Sequence, residues 1–219
     1  HMSKKALVIA AHPDDELLGC GGTVARHTSE GDEVRSIIMC EGESLRYKGM
    51  NVNQAAAIEK ANNILGVSKV YHLEFPDQKL ATYSLVDLIT PIENIVQEYE
   101  PQIAYCQFGG DINRDHQILS AAAMVALRPI VTSLEEFYQF YTVGSTEWAY
   151  PNTFNPDTWV DIKDYLDTKL KAFSCYTSEI KEWPHPRSLK SLEYLAYYTG
   201  STSYLEAAES FVTMRRVRR

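Results

Sequence analysis

Apolar runs of four to seven residues alternate, along the first half of this chain, with longer stretches in which apolar residues recur every three or four positions. A run that is apolar throughout must be buried on both sides, whereas a helical stripe buries one. The alternation therefore predicts an α/β fold with a mostly parallel central sheet flanked by helices on both faces. Strands are expected at Ala6–Ala11, Val34–Met39, Val70–Leu73 and Ile103–Cys106, the last following the breaker Pro101. Helices are expected at Asn53–Leu65, with Gly66 as its stop, and at Ser84–Tyr99, with Pro91 as a point of kinking. After Ala126 the pattern loosens. An aromatic run at Phe137–Tyr141, a Pro/Asn-rich turn at Tyr150–Asp157 and helical stretches near Asp164–Cys175 and Leu189–Tyr198 are read as late elements of the same domain.

The chain has 219 residues, 45% of them hydrophobic, enough for one substantial core, so a single domain over residues 3–219 is expected. His1 and Met2 read as a tag remnant and a start. The apolar run after Lys4-Lys5 is too short for a signal or membrane helix, which points to a cytoplasmic protein without an integral membrane segment. Cys20, Cys40, Cys106 and Cys175 are scattered, with no CxxC pair, which fits a reducing compartment and argues against cysteine-ligated zinc. A formal charge of −8 and a pI near 5.3 make nucleic acid a poor partner. The local exception is the basic terminus Arg215, Arg216, Arg218 and Arg219, read as a solvated, frayed tail in preference to a phosphate-binding patch. A homo-oligomer is left open.

The chemistry concentrates in two polar runs. Ala10-Ala11-His12-Pro13-Asp14-Asp15-Glu16 places an imidazole and three carboxylates directly after the first strand. Adjacent acids beside a buried strand repel one another, and a cation is the natural compensator. The plainer alternative is a helix start capped by Asp14 or Asp15, but capping needs one acid, not such a run. Gly109-Gly110-Asp111-Ile112-Asn113-Arg114-Asp115-His116 follows the fourth strand in the same topological position, so the two loops should face each other at the carboxyl edge of the sheet. One imidazole and one carboxylate from the first loop plus His116 from the second form a two-His, one-carboxylate set with an open position, the pattern of a catalytic metal site.

These runs, with Gly19-Cys20-Gly21-Gly22-Thr23, resemble the two signatures of the LmbE-like (PIG-L) family of N-acetylglucosaminyl deacetylases. Tyr176-Thr177-Ser178-Glu179, Pro184-His185-Pro186-Arg187-Ser188 and Ala208-Glu209-Ser210-Phe211 are similar to further family sequence. The resemblance implies a single-domain Rossmann-like fold and zinc-dependent removal of an acetyl group from an N-acetylglucosamine-type sugar or glycoconjugate, with other divalent metals also fitting such a site. It implies His12, Asp15 and His116 as metal ligands and Asp14 as general base. The division of labour makes sense, because a carboxylate bound to a cation has its basicity spent while its free neighbour accepts a proton from the attacking water. Family members often carry a histidine three residues before the last ligand; this chain has Asn113, which donates a hydrogen bond but carries no charge. His185, in its Pro-flanked loop, is the expected source of the missing imidazole.

Other features receive plainer readings. Gly19, Gly21 and Gly22 lack the G-x-G-x-x-G spacing and are read as a close helix–sheet contact instead of a phosphate cradle. Arg46 and Tyr47 are expected at the surface, Arg187 is expected to pair with a nearby acid, and His27 and His72 are read as structural. Two other functions compete with the sugar deacetylase: an amidase acting on a non-sugar or thiol-conjugate amide, and a nucleotide-binding module with a vestigial metal site.

Overall fold

The computed structural model describes residues 3–218, so the reading of His1 and Met2 as a tag remnant and start lies outside the described residues, as does Arg219. Strands β1 (Lys5–Ala10), β2 (Glu33–Cys40), β3 (Lys69–Phe75), β4 (Ile103–Gln107), β5 (Glu136–Phe140), β6 (Thr158–Asp161) and β7 (Ala208–Arg216) form one seven-stranded sheet in the order β3-β2-β1-β4-β5-β7-β6. The first five run parallel, and β7 and β6 close the sheet antiparallel. Helices α1 (Asp15–Ser29), α2 (Gln54–Leu65), α3 (Leu85–Tyr99), α4 (Arg114–Ala126), α5 (Leu166–Phe173) and α6 (Leu189–Ser201) complete the chain. The four expected strands and the two early helices stand where the apolar pattern put them, within one or two residues at most ends.

Two buried clusters confirm that both faces of the sheet are covered. Ala6, Val8 and Ile38 pack with Leu17, Leu18 and Phe173 on one side. Leu7, Ile9 and Ile37 pack with Leu88, Ile92, Leu119 and Ala122 on the other. Alternate residues of one strand thus serve opposite cores, which is why β1 has to be apolar throughout. The chain order reverses between β1 and β4, so the ends of these neighbouring strands splay into a crevice at the carboxyl edge.

The C-terminus departs from expectation. Arg215 and Arg216 end strand β7 and pair with β5, and the Arg215 guanidinium donates to the Leu127 carbonyl at 2.7 Å, so these two are not part of a frayed tail; Arg218 follows the strand and Arg219 lies outside the described residues. The start of β7 is buried, while its arginine-rich end is partly exposed and by composition alone reads as a tail.

The glycines of α1 explain a second feature. The helix breaks at Cys20 (φ −148°, ψ 25°), and the backbone N–H groups of Gly22 and Thr23, which begin its second segment, donate to the Glu209 carboxylate at 2.9 and 2.6 Å. Lys169 neutralises that carboxylate at 2.7 Å. The anion at this glycine-rich helix start is therefore the protein's own side chain, which removes the basis for a phosphate cradle. Close packing is confirmed too, since a Cβ on Gly19 would lie 2.1 Å from the Phe140 ring. Gly→Ala inside a helix ordinarily stabilises by about 1 kcal/mol. Gly19→Ala should instead destabilise by roughly 1–3 kcal/mol through overpacking, read as a lower urea midpoint at unchanged slope.

Candidate metal centre

The crevice between β1 and β4 gathers His12, Asp14 and Asp15 from the loop after β1 and His116 from the first turn of α4, all buried. His12 Nδ1, Asp15 Oδ2 and His116 Nε2 form a triangle with sides of 3.2, 3.1 and 3.2 Å. Ligands held at about 2.0–2.1 Å in a tetrahedron lie about 3.3–3.4 Å apart, so the triangle is close to the face such an ion requires. Hydrogen bonds satisfy at most two of its sides, because two imidazole N–H groups facing each other repel. A cation satisfies all three. Asp15 Oδ1 is buried and without a hydrogen-bond partner, a further lone pair that a cation would compensate.

The surrounding groups hold this geometry. Asp15 Oδ2 accepts from the His12 backbone N–H at 2.9 Å and from Gln107 Nε2 at 2.7 Å. His12 Nε2 lies 3.0 Å from Asp115 Oδ2, and His116 Nδ1 faces Asp111 Oδ2 at 3.3 Å. A carboxylate behind each imidazole fixes its orientation and leaves the other nitrogen for the centre of the triangle. Burial disfavours charge on His116, but Asp15 and Asp111 outweigh it and raise its pKa to about 9. Asp15 meets the same opposition from burial, and the two imidazoles carry its pKa well below the usual carboxylate range.

His12, Cys40 and Asp115 form a second group of metal-ligand types behind the first, a cysteine-containing set that the scattered cysteines did not suggest. Burial, with Asp115 and Asp77 acting in the same direction, pushes the Cys40 thiol far up, and it donates to Asp115 at 3.7 Å. This set is the hydrogen-bonded backing of His12, while the triangle in front has the converging lone pairs.

Asp14 occupies the N-cap position of α1 without capping it: its side chain makes no cap hydrogen bond and its backbone is left-handed at φ 99°. The capping reading of the acidic run therefore fails on geometry. A non-glycine residue in that region costs of order 1–3 kcal/mol, sustained here by a bond from its N–H to Glu16 Oε2 at 3.0 Å. Asp14 Oδ1 has no partner, and Oδ2 lies 3.4 Å from Arg187 Nη1. Burial raises the Asp14 pKa well above its usual value, Arg187 opposes that rise, and Asp15 adds to it. The result is a free, basic carboxylate beside the triangle.

Glu16 is not part of the cation cluster, contrary to the grouping of three acids. Its Oε1 accepts from Tyr176 Oη at 2.5 Å and Asn62 Nδ2 at 3.2 Å, making it the brace of the Asp14 turn. Arg46 and Tyr47 also correct the surface reading. Arg46 reaches Asp77 at 3.5 Å and Glu179 at 3.7 Å, while Tyr47 donates to Glu179 at 2.6 Å. Arg187 pairs with acids as expected, those acids being Asp14 and Glu179 at 3.3 Å. His27 and His72 are structural, bonded to Asp32 at 2.7 Å and to the Cys40 carbonyl at 3.1 Å.

Asn113 caps α4, accepting from the Asp115 N–H at 2.9 Å, and its amide nitrogen donates to Gln78 Oε1 at 3.3 Å. His185 lies exposed in the loop before α6, where its Nδ1 accepts the Arg187 N–H at 3.0 Å. Asp77, Gln78 and Gln107 were not singled out by sequence, and Glu179 entered only as part of a family-like stretch, without a role. They come from turns and strand ends whose polar residues look ordinary until the fold brings them together.

The family model described as PIG-L: GlcNAc-PI de-N-acetylase matches residues 7–127, the span that contains the whole triangle. The chain belongs to this family. It is 32% identical over 181 residues to the uncharacterized deacetylase YaiS of Escherichia coli K12, covering 80% of this chain and 91% of that protein. It is 25% identical over 223 residues to the diacetylchitobiose deacetylase of Thermococcus kodakarensis, covering 94% and 81%. Among solved structures, the N,N'-diacetylchitobiose deacetylase of Pyrococcus horikoshii shares the fold with a TM-score of 0.79 at 22% identity, covering 97% of this chain and 84% of that one. The chain is an N-deacetylase of the hydrolase class, and no helix among the described residues is long and apolar enough to cross a membrane.

Burial raises the Glu16 pKa to about 7 from 4.5, so between these values the folded state binds the extra proton. Stability should therefore be greatest below about pH 4.5 with respect to this group and fall as pH rises to about 7, by up to about 3 kcal/mol. Glu16→Gln should flatten that part of the profile in chelator-treated protein, as followed by denaturant midpoints across the window.

Proposed function

We infer that this protein removes the acetyl group from the amide nitrogen of an N-acetylglucosamine-type sugar, using a divalent cation, zinc by the chemistry of the donors, held by His12, Asp15 and His116. The observation that carries the reading is the triangle of buried lone pairs with the unpartnered Asp14 carboxylate oxygen next to it. The relatives' activity on N-acetylated sugars supports the substrate class. When bound, a divalent cation polarises a carbonyl and lowers the pKa of water from 15.7 to about 7.

The chain's own residues do the rest. Asp14 Oδ1, free of hydrogen bonds, accepts the proton of the attacking water as its oxygen adds to the amide carbonyl carbon. The same carboxyl group then delivers that proton to the departing nitrogen, so the C–N bond breaks to give acetate and a primary amine. Arg187 holds the other oxygen and keeps Asp14 oriented. Asn113 offers an amide N–H to the developing oxyanion, a neutral donor in the position where an imidazole is common in the family. His185 is the proposed source of that imidazole: with Nδ1 accepting the Arg187 N–H, Nε2 is the nitrogen left to carry a proton.

The decisive assay measures acetate or new amine from N-acetyl amino sugars presented free, nucleotide-linked and lipid-linked. Turnover should vanish with a chelator and return with zinc, and a metal-loaded protein silent on all of them would refute the reading. Asp14→Asn should keep its metal content and lose about 10²–10⁴-fold in kcat. Asp15→Asn should lose the metal itself. His185→Ala should lower turnover about a hundredfold at constant metal content; full turnover would remove His185 from the mechanism.

A further inference from the structure

Arg187 stands between two buried carboxylates and belongs fully to neither. Its Nη1 lies 3.4 Å from Asp14 Oδ2 and 3.3 Å from Glu179 Oε2. A guanidinium paired with one carboxylate ordinarily closes to about 2.7–2.9 Å and, with no competitor, turns its planar fork so that both oxygens are taken. The single long contact leaves Asp14 Oδ1 without a hydrogen-bond partner although it is buried. The stem of Arg187 is seated against backbone: a Cβ on Gly144, whose φ is +79°, would lie 3.2 Å from its Nε and 3.4 Å from its Cγ. A move toward Asp14 is therefore a pivot of the head, and about half an ångström separates the shared contact from a full pair.

Glu179 is placed to hold its share. It is 3% exposed, and its Oε1 accepts from Tyr47 Oη at 2.6 Å and from Gln54 Nε2 at 3.1 Å, which leaves Oε2 for the guanidinium groups. Gln54 is the first residue of α2, and its backbone N–H donates to Glu43 Oε1 at 2.7 Å, so the anchor rests on a regular element. The same Oε2 draws Arg46 to 3.7 Å, and Arg46 in turn reaches Asp77 at 3.5 Å. Proton transfer at Asp14 makes no direct use of the Glu179 carboxylate. Its bonded path to Asp14 runs through Arg187.

We propose that Glu179 is a positioning residue that keeps the base half free: by holding Arg187 back, it stops the guanidinium from closing on both oxygens of Asp14 and preserves Oδ1 for the attacking water. This rests on the reading of Asp14 as the base of a sugar deacetylase. The test is a double-mutant cycle on the zinc-loaded protein, following acetate release from N-acetylglucosamine presented free, nucleotide-linked and lipid-linked, with zinc content and urea midpoint measured for every variant. Glu179→Gln keeps an oxygen for Tyr47 and Gln54 and removes the charge that faces Arg187. It should lower kcat about tenfold, with KM within about twofold of wild type and zinc content unchanged. Glu179→Asp, which keeps the charge and shortens its reach, should fall between the two. Arg187→Met lowers kcat on its own account, because Asp14 Oδ2 loses its holder, and adding Glu179→Gln to it should lower kcat no further. In an Arg187→Lys background the effect of Glu179→Gln should shrink to about twofold or less, since an ammonium does not bridge two oxygens as a fork does. An equal fall in kcat with and without Arg187, or a change confined to KM, would overturn the proposal while leaving the deacetylase reading in place. Loss of zinc or of the folded state in both Glu179→Gln and Glu179→Asp would do the same. A wild-type protein inactive on every sugar would overturn both.

Discussion

Everything in this crevice follows from carboxylates and imidazoles being forced together where water does not reach. His12, Asp15 and His116 sit on rigid elements, at the end of β1 and in the first turns of α1 and α4, so their donor atoms cannot relax apart to relieve the crowding. A buried carboxylate with an unpaired oxygen is expensive, and the protein bears several. A cation that binds only the folded chain would return the stability that such a site withholds.

The expense is distributed through identifiable braces. Gln107, the last residue of β4, joins the two motifs, donating its amide N–H to Asp15 while its oxygen accepts the Ala11 N–H at 3.0 Å. Asp115 bonds both His12 and the Leu80 N–H, tying the β3–α3 connection to the same point. Glu16, from the opposite side, holds the left-handed Asp14 turn through its backbone N–H. Each brace is a polar residue at the end of an element, where a side chain reaches the site and the backbone remains paired.

What the sequence could tell depended on whether a residue's surroundings were local. β1 and β4 were readable because a strand buried on both faces must be apolar, and the two polar runs were readable because each follows such a strand. The triangle could be foreseen from those facts together with the family resemblance. Arg46, Asp77 and Glu179 could not, since their meeting depends on loops folding inward from three different connections. β7 was missed for a related reason: an antiparallel strand inserted between β5 and β6 has only one well-buried stretch, and its arginine-rich end resembles a tail. Glu16 stands apart from the other two acids of its run because adjacency in sequence does not imply a common direction; its carboxylate turns away to Tyr176.

The division of the chain at residue 127 separates two kinds of constraint. Residues 7–127, which match the family model, supply all three proposed metal ligands and the proposed base. Tyr176, Glu179, Arg187 and Glu209 come from beyond that span, yet each acts on it: Tyr176 braces Glu16, Glu179 joins both arginines, Arg187 orients Asp14, and Glu209 caps the second segment of α1. The first part thus fixes which bond breaks, while the second sets the charge and shape presented to whatever carries that bond. A metal-centred reaction tolerates little change in its donors because their spacing is dictated by the ion. The loops around it face only the demands of a particular substrate, and differences between relatives in what they act on are to be sought there.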